Sequence, residues 1–164
     1  MSFDQIKKEF NSTAITKEIY IQTMFEEHKR LFDYPNLLKA CDISNIEITD
    51  KGVVFTTKKQ QLKFFCDFPD MRQAALEILN FNDYEPSETN MFLSFLKQDD
   101  VFFDIGANVG WFSLAAAKSG KLLHCYAFEP VGPIFKNLKR NIELNAYSDL
   151  IQPYNFGFAD KAGS

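Results

Sequence analysis

The spacing of apolar residues changes several times along this chain. From about Ile15 to Phe32 it follows a helix, with Ile15, Ile19, Phe25, Leu31 and Phe32 along one stripe, and Pro35 predicts the end. From Ser44 to Cys66 the period is two. Ile46 and Ile48 alternate with polar residues, Asp50-Lys51-Gly52 supplies a turn, Val53 to Thr57 returns as a partner strand, and Leu62 to Cys66 reads as a third. Two further helices are predicted, about Pro69 to Leu79 and Ser87 to Lys97, with Phe92, Phe95 and Leu96 on the buried face of the second.

The rest of the chain is more regular. Val101 to Ile105 is nearly continuous in apolar residues and suits a strand buried on both faces of a parallel sheet. A tight loop follows, Gly106 to Gly110, then a helix from Trp111 to Lys118 closed by Ser119-Gly120. Leu122 to Phe128 reads as a strand, Pro133 to Asn145 as a helix with Phe135, Leu138 and Ile142 on one side, and Ile151 to about Phe158 as a third strand. Strand, helix, strand, helix, strand at this spacing is two crossover units, half of a doubly wound α/β sheet. Pro153 places the third strand at an edge, because proline cannot donate to a ladder. Two regions are expected: residues 1–80, a small α+β region of helices and antiparallel strands, and residues 81–164, the parallel sheet.

Composition narrows the function classes. The 164 residues are 46% hydrophobic and 24% charged, ordinary for a folded domain, which excludes disorder as the main state. A formal charge of -4 disfavours generic nucleic-acid binding. No apolar run approaches the roughly 20 residues that span a bilayer, and MSFDQIKKEF lacks the apolar stretch of a signal peptide. A cytoplasmic protein with no membrane partner is the expectation. Cys41, Cys66 and Cys125 read as buried thiols, and with only His28 and His124 beside them no metal-binding spacing exists. The 18 phenylalanines read as core material distributed over both regions.

Candidate chemistry gathers after the strand Val101 to Ile105. A glycine loop there lets a backbone approach a ligand at a helix N-terminus, although short connections use glycine anyway. Asp104 stands inside the apolar strand, where a buried carboxylate needs a cation or several donors; it either meets a ligand ammonium or caps neighbouring amides. Glu129 ends the next strand, 23 residues after Gly106, where an acid can accept both hydroxyls of a ribose. Asn108 and Trp111 stand where the dinucleotide fingerprint needs glycine, so a diphosphate would meet side chains. A ligand with an amino-acid end, a nucleoside end and no phosphate fits better, and S-adenosylmethionine has those properties. A nicotinamide oxidoreductase is correspondingly disfavoured.

Phe103 to Leu114 (FDIGANVGWFSL), Ala127-Phe128-Glu129-Pro130, Asn137-Leu138 with Asn141 to Asn145, and Tyr84-Glu85 with Glu88 resemble the FkbM family of S-adenosylmethionine-dependent methyltransferases. The resemblance covers about residues 81–164 and implies a Rossmann-like class I methyltransferase sheet, incomplete here with its first three strands. It assigns Asp104, Gly106, Asn108 and Gly110 to the methionine end of the pocket and Glu129 to the ribose, with Pro130 as an adenine wall and Asp160, after the third strand, either as acceptor from the adenine amino group or as an exposed turn acid. It further implies O-methylation of a small-molecule hydroxyl, on a sugar or natural product, and the charge balance adds the expectation of no nucleic acid. Family members continue through a later K-I-D-x-E-G segment that is not found before Ser164, so the expectation is an amino-terminal portion of a methyltransferase, able to oligomerise through its open sheet edge. The alternative is a cofactor-binding or remnant module without catalysis that pairs with another chain. No catalytic base is assigned, since His124 lies in a predicted strand and His28 on a predicted exposed helix face.

Overall fold

The computed structural model describes residues 1–66 and 73–159. The chain falls into two compact units, Met1–Ala40 and Cys41–Ser164. Periodicity grouped the small antiparallel sheet with the leading helices and divided the chain at residue 80. Compactness instead groups that sheet with the parallel one.

The first unit is built on caps more than on a core. Helix α1, Phe3–Asn11, is not predicted by the apolar spacing; its marker is Ser2, whose hydroxyl accepts from the Gln5 N–H at 3.2 Å. Helix α2, Lys17–His28, starts on Thr16, runs into a 3-10 turn at Lys29–Phe32, and is followed by α3, Tyr34–Ala40. Pro35 therefore opens a helix rather than ending one, because in a first turn its missing N–H has no partner to lose. The stripe predicted between Ile15 and Phe32 meets no core: no residue of α2, the 3-10 turn or α3 is buried, and Phe32 is 72% exposed.

In the second unit the alternating segment forms the predicted hairpin. Strand β1, Ile43–Thr49, pairs antiparallel with β2, Gly52–Thr57, with Thr49 opposite Gly52 across Asp50-Lys51. Strand β3, Lys63–Cys66, adds to β2. Helix α4, Ala74–Phe81, starts later than predicted; the beginning of that predicted segment falls outside the described residues. Helix α5, Pro86–Phe95, has proline in its first turn.

The parallel sheet follows the predicted order, β4-β5-β6: Asp100–Ile105, Leu122–Phe128 and Ile151–Tyr154. The crossovers are helices α6, Trp111–Lys118, and α7, Gly132–Leu144. This is an α/β, Rossmann-like arrangement. Pro153 lies in the outer strand β6, opposite Ala127. Strand β6 stops at Tyr154, short of the predicted Phe158, because Asn155 leaves the ladder to donate from Nδ2 to the Glu129 carbonyl at 2.8 Å.

One expectation about this sheet fails. Strand β4 is not buried on both faces: Val101, Phe103 and Ile105 are 47%, 57% and 63% exposed. Their face continues into Tyr126, Phe128, Tyr154, Phe156 and Phe158, whose rings contact one another at 4.9–6.3 Å between centroids. The phenylalanines are thus partly concentrated, not simply distributed. The opposite face carries Cys125, Ala127 and Ile151, all buried, together with Phe102, which Phe92 of α5 covers at 4.8 Å. The three cysteines are free and buried. Among the described residues no helix is long and apolar enough to cross a membrane.

Candidate functional site

The loop Gly106–Gly110 leaves the carboxyl end of β4 and is tied down at each of its five residues. The N–H groups of Gly106 and Ala107 both donate to the Phe128 carbonyl at 2.9 Å, so the loop begins as a continuation of the β4–β5 ladder. The Gly110 N–H donates to the Ala107 carbonyl at 2.8 Å and closes a tight turn, and the Leu114 N–H donates to the Gly110 carbonyl as α6 begins. Asn108 sits in the left-handed region at φ 51°, which asparagine tolerates better than most side chains.

The two glycines serve different needs. Gly106, at φ 82°, has nothing within 4 Å of where a Cβ would stand, so the backbone there opens onto free space. Gly110, at φ 93°, is crowded: a Cβ would come within 2.7 Å of Leu138 Cδ1, and Leu138 is fully buried. The first glycine leaves room above the loop, and the second lets α7 pack under it.

Glu129 follows β5 and is 5% exposed. Its Oε2 accepts from the Asn108 N–H at 3.0 Å and its Oε1 from the Val131 N–H at 2.7 Å. The structure therefore brings Glu129 and the loop together. A carboxylate has room for about four hydrogen bonds, so these two amides orient Glu129 without exhausting it. Asp104 points to the helix-covered side of β4, where its Oδ2 accepts from the Ser113 hydroxyl at 2.6 Å and the Ser113 N–H at 3.1 Å. Capping of a neighbouring amide, one of its two sequence readings, is thus present. Burial pushes the Asp104 carboxyl above the usual carboxylate range, and the two Ser113 bonds oppose that rise only in part.

Pro130 stands beside Glu129, its ring against Gly157 and its carbonyl accepting from Asn155 Nδ2 at 3.1 Å. Asp160 lies outside the described residues. Trp111 is 5% exposed; its indole N–H donates to Thr89 Oγ1 at 2.9 Å, and Tyr84 meets its ring edge-on at 5.0 Å. Tyr84 and Trp111 thus flank the start of α6. Burial, with Glu85 and Glu77 nearby, pushes the Tyr84 phenol up to about 12.

Sequence reasoning gave no role to Asn141, although it is fully buried and touches the loop. Its Nδ2 donates to the Val109 carbonyl at 2.8 Å and its Oδ1 accepts from the Phe65 N–H of β3 at 2.7 Å. The available marker was a polar residue on the apolar side of α7, between Leu138 and Ile142. Ser113, which holds Asp104, left a similar marker inside an otherwise apolar helix face.

No protein-family model matches the chain. The chain is similar to AMB antimetabolite synthetase AmbE of Pseudomonas aeruginosa, 37% identical over 65 residues, which is 40% of this chain and 3% of that protein. It is also similar to a tRNA (guanine(37)-N(1))-methyltransferase of Pediculus humanus subsp. corporis, 30% identical over 95 residues, 52% of this chain and 20% of that protein. Among solved structures, P. horikoshii TYW2 in complex with MeSAdo superposes with a TM-score of 0.48 at 26% identity, covering 67% of this chain and 38% of that one. The chain spans only a small part of the curated proteins it matches.

One expectation about partners is corrected by the tRNA methyltransferase relative. A small-molecule hydroxyl acceptor with no nucleic acid does not stand beside a relative named as a tRNA methyltransferase. A formal charge of -4 averages over the surface and does not by itself exclude a nucleic-acid partner.

Proposed function

We propose that this chain binds S-adenosylmethionine and supplies the cofactor half of a methyltransferase whose acceptor is a tRNA base. The observation that carries the reading is the Asn108 N–H to Glu129 bond. It fixes a buried carboxylate, able to take more donors, beside the bend that opens above Gly106, at the carboxyl ends of two adjacent parallel strands. When bound, S-adenosylmethionine supplies a methyl group activated by its sulfonium. Glu129 would accept from the ribose hydroxyls and the Gly106–Gly110 backbone would receive the methionine end, with Asp104, two residues before Gly106 and bonded to Ser113, as the counter-charge for the ammonium. Pro130 would form a wall for the adenine.

The loop's FkbM-like form, Phe103 to Leu114 with Ala127 to Pro130, supports this reading of the cofactor end, while the hydroxyl acceptor that the resemblance implied is set aside. The acceptor class follows the tRNA methyltransferase relative. Tyr84 and Cys125 are not poised bases: burial pushes each up to about 12, so both stay protonated near neutral pH.

Calorimetric titration with S-adenosylhomocysteine and with NAD tests the cofactor. Saturable binding of the first alone, lost in Glu129→Ala, is expected; a preference for NAD overturns the reading. Transfer of labelled methyl from S-adenosylmethionine to a tRNA transcript tests the acceptor. Label retained in the RNA supports it, and binding without transfer favours a module that lacks catalysis.

A further inference from the structure

Helix α7 meets the edge of β3 with two asparagines one turn apart. Asn145 Oδ1 accepts from the Lys63 N–H at 2.9 Å while its Nδ2 donates to the Lys63 carbonyl at 2.7 Å. Asn141 Oδ1 then accepts from the Phe65 N–H, two residues along the same strand edge. Two carboxamides thus satisfy backbone groups that a further strand would otherwise pair, and the Arg140 guanidinium lies 3.4 Å above the Phe65 ring. The Asn145 side chain bonds Lys63 and the Asn141 carbonyl, whereas Asn141 uses its other end on the Val109 carbonyl.

We infer that Asn141 is a positioning residue for the cofactor loop, through which the antiparallel sheet holds the bend in the shape that receives its ligand. This rests on reading Gly106–Gly110 as the cofactor site. The geometry is that of a planar trans peptide: the Val109 carbonyl and the Gly110 N–H point in opposite directions. Drawing the carbonyl toward Asn141 therefore aims the Gly110 N–H at the Ala107 carbonyl, which it meets at 2.8 Å. Asn108, one residue earlier, is held from the other side by Glu129. The bend is clamped from α7 and from the end of β5, and only the first clamp reaches back to β3.

Asn141→Asp keeps the shape and the acceptor for the Phe65 N–H but sets an oxygen against the Val109 carbonyl. Asn145→Ala loosens the same strand edge and the Asn141 carbonyl at the end of α7 but leaves the Asn141 side-chain bond to Val109 in place. Calorimetry with S-adenosylhomocysteine, with Tm measured alongside, is expected to show N141D weaker by about tenfold, and N145A within about twofold of wild type even though its Tm falls. Amide hydrogen exchange at Gly110 is expected to speed up in N141D and not in N145A. Equal affinity of N141D and wild type, or equal losses in both variants, overturns the inference and leaves Asn141 a structural residue. Failure of the wild type to bind overturns the cofactor reading and this inference together, so the two failures are distinguishable. Should N141D not fold, Asn141→Ser, too short to reach both partners, takes its place with the same expected ordering.

Discussion

The two faces of the β4-β5-β6 sheet are made by alternate residues of the same strands, yet they differ in almost every physical respect. The covered face is small and satisfied. Cys125 and Ala127 are fully buried, Asp104 is bonded to Ser113, and Phe102 is capped by Phe92. The other face is large and open, a run of rings from Phe103 to Phe158 with Val101 and Ile105 at its border. The side-chain bonds that shape the glycine loop come from Asn141 of α7 and from Glu129 at the end of β5. Precision in this protein is therefore concentrated where helices pack, and the ring face contributes area without specifying geometry.

The sharpest way to break that contrast is to add one atom on the covered side. Gly110→Ala is expected to cost about 3 kcal/mol, combining left-handed backbone strain with a methyl driven into Leu138, as measured by urea unfolding. A loss below about 1 kcal/mol would show that α7 can retreat from the loop. Glu129→Ala comes next, at about 2 kcal/mol, because the Asn108 and Val131 N–H groups lose their acceptor.

Asp104 supplies a pH test of the same face. Burial raises its folded-state pKa above the unfolded value, so between the two values the native state binds more protons than the unfolded state. Stability from this group is thus greatest below the unfolded value and declines as pH rises through the window. Asp104→Asn is expected to remove that decline. Urea midpoints of wild type and variant across the acid range read it as a difference, which also cancels the similarly raised Asp42. The smallest effect belongs to the open face: Phe103→Ser should change stability by no more than about 0.5 kcal/mol while reducing association at high concentration, read by light scattering. A loss as large as that of Gly110→Ala would mean the ring layer is as exacting as the helix side.

Much of this architecture was legible in the chain. The hairpin across Asp50-Lys51, the two crossover units, the edge position of Pro153 and the placement of Glu129 beside the loop all follow from period, turn residues and strand length. The misreadings share a cause. Pro35 ends a helix or begins one depending on which side the chain turns, and Ile15 to Phe32 looks amphipathic whether or not anything packs on it. Val101, Phe103 and Ile105 are as apolar as a doubly covered strand, and composition does not say which side the helices take.

By itself the sequence determined the local vocabulary: which segments alternate, which coil, and where a glycine permits a left-handed bend. Only the tertiary structure decided the partners, because these are chosen across distance. Asn141 finds the Phe65 amide from 76 residues away and Glu129 finds Asn108 from 21. Backbone preferences act over a turn or two, whereas a buried polar group is satisfied by whatever donor or acceptor the fold brings within 3 Å of it.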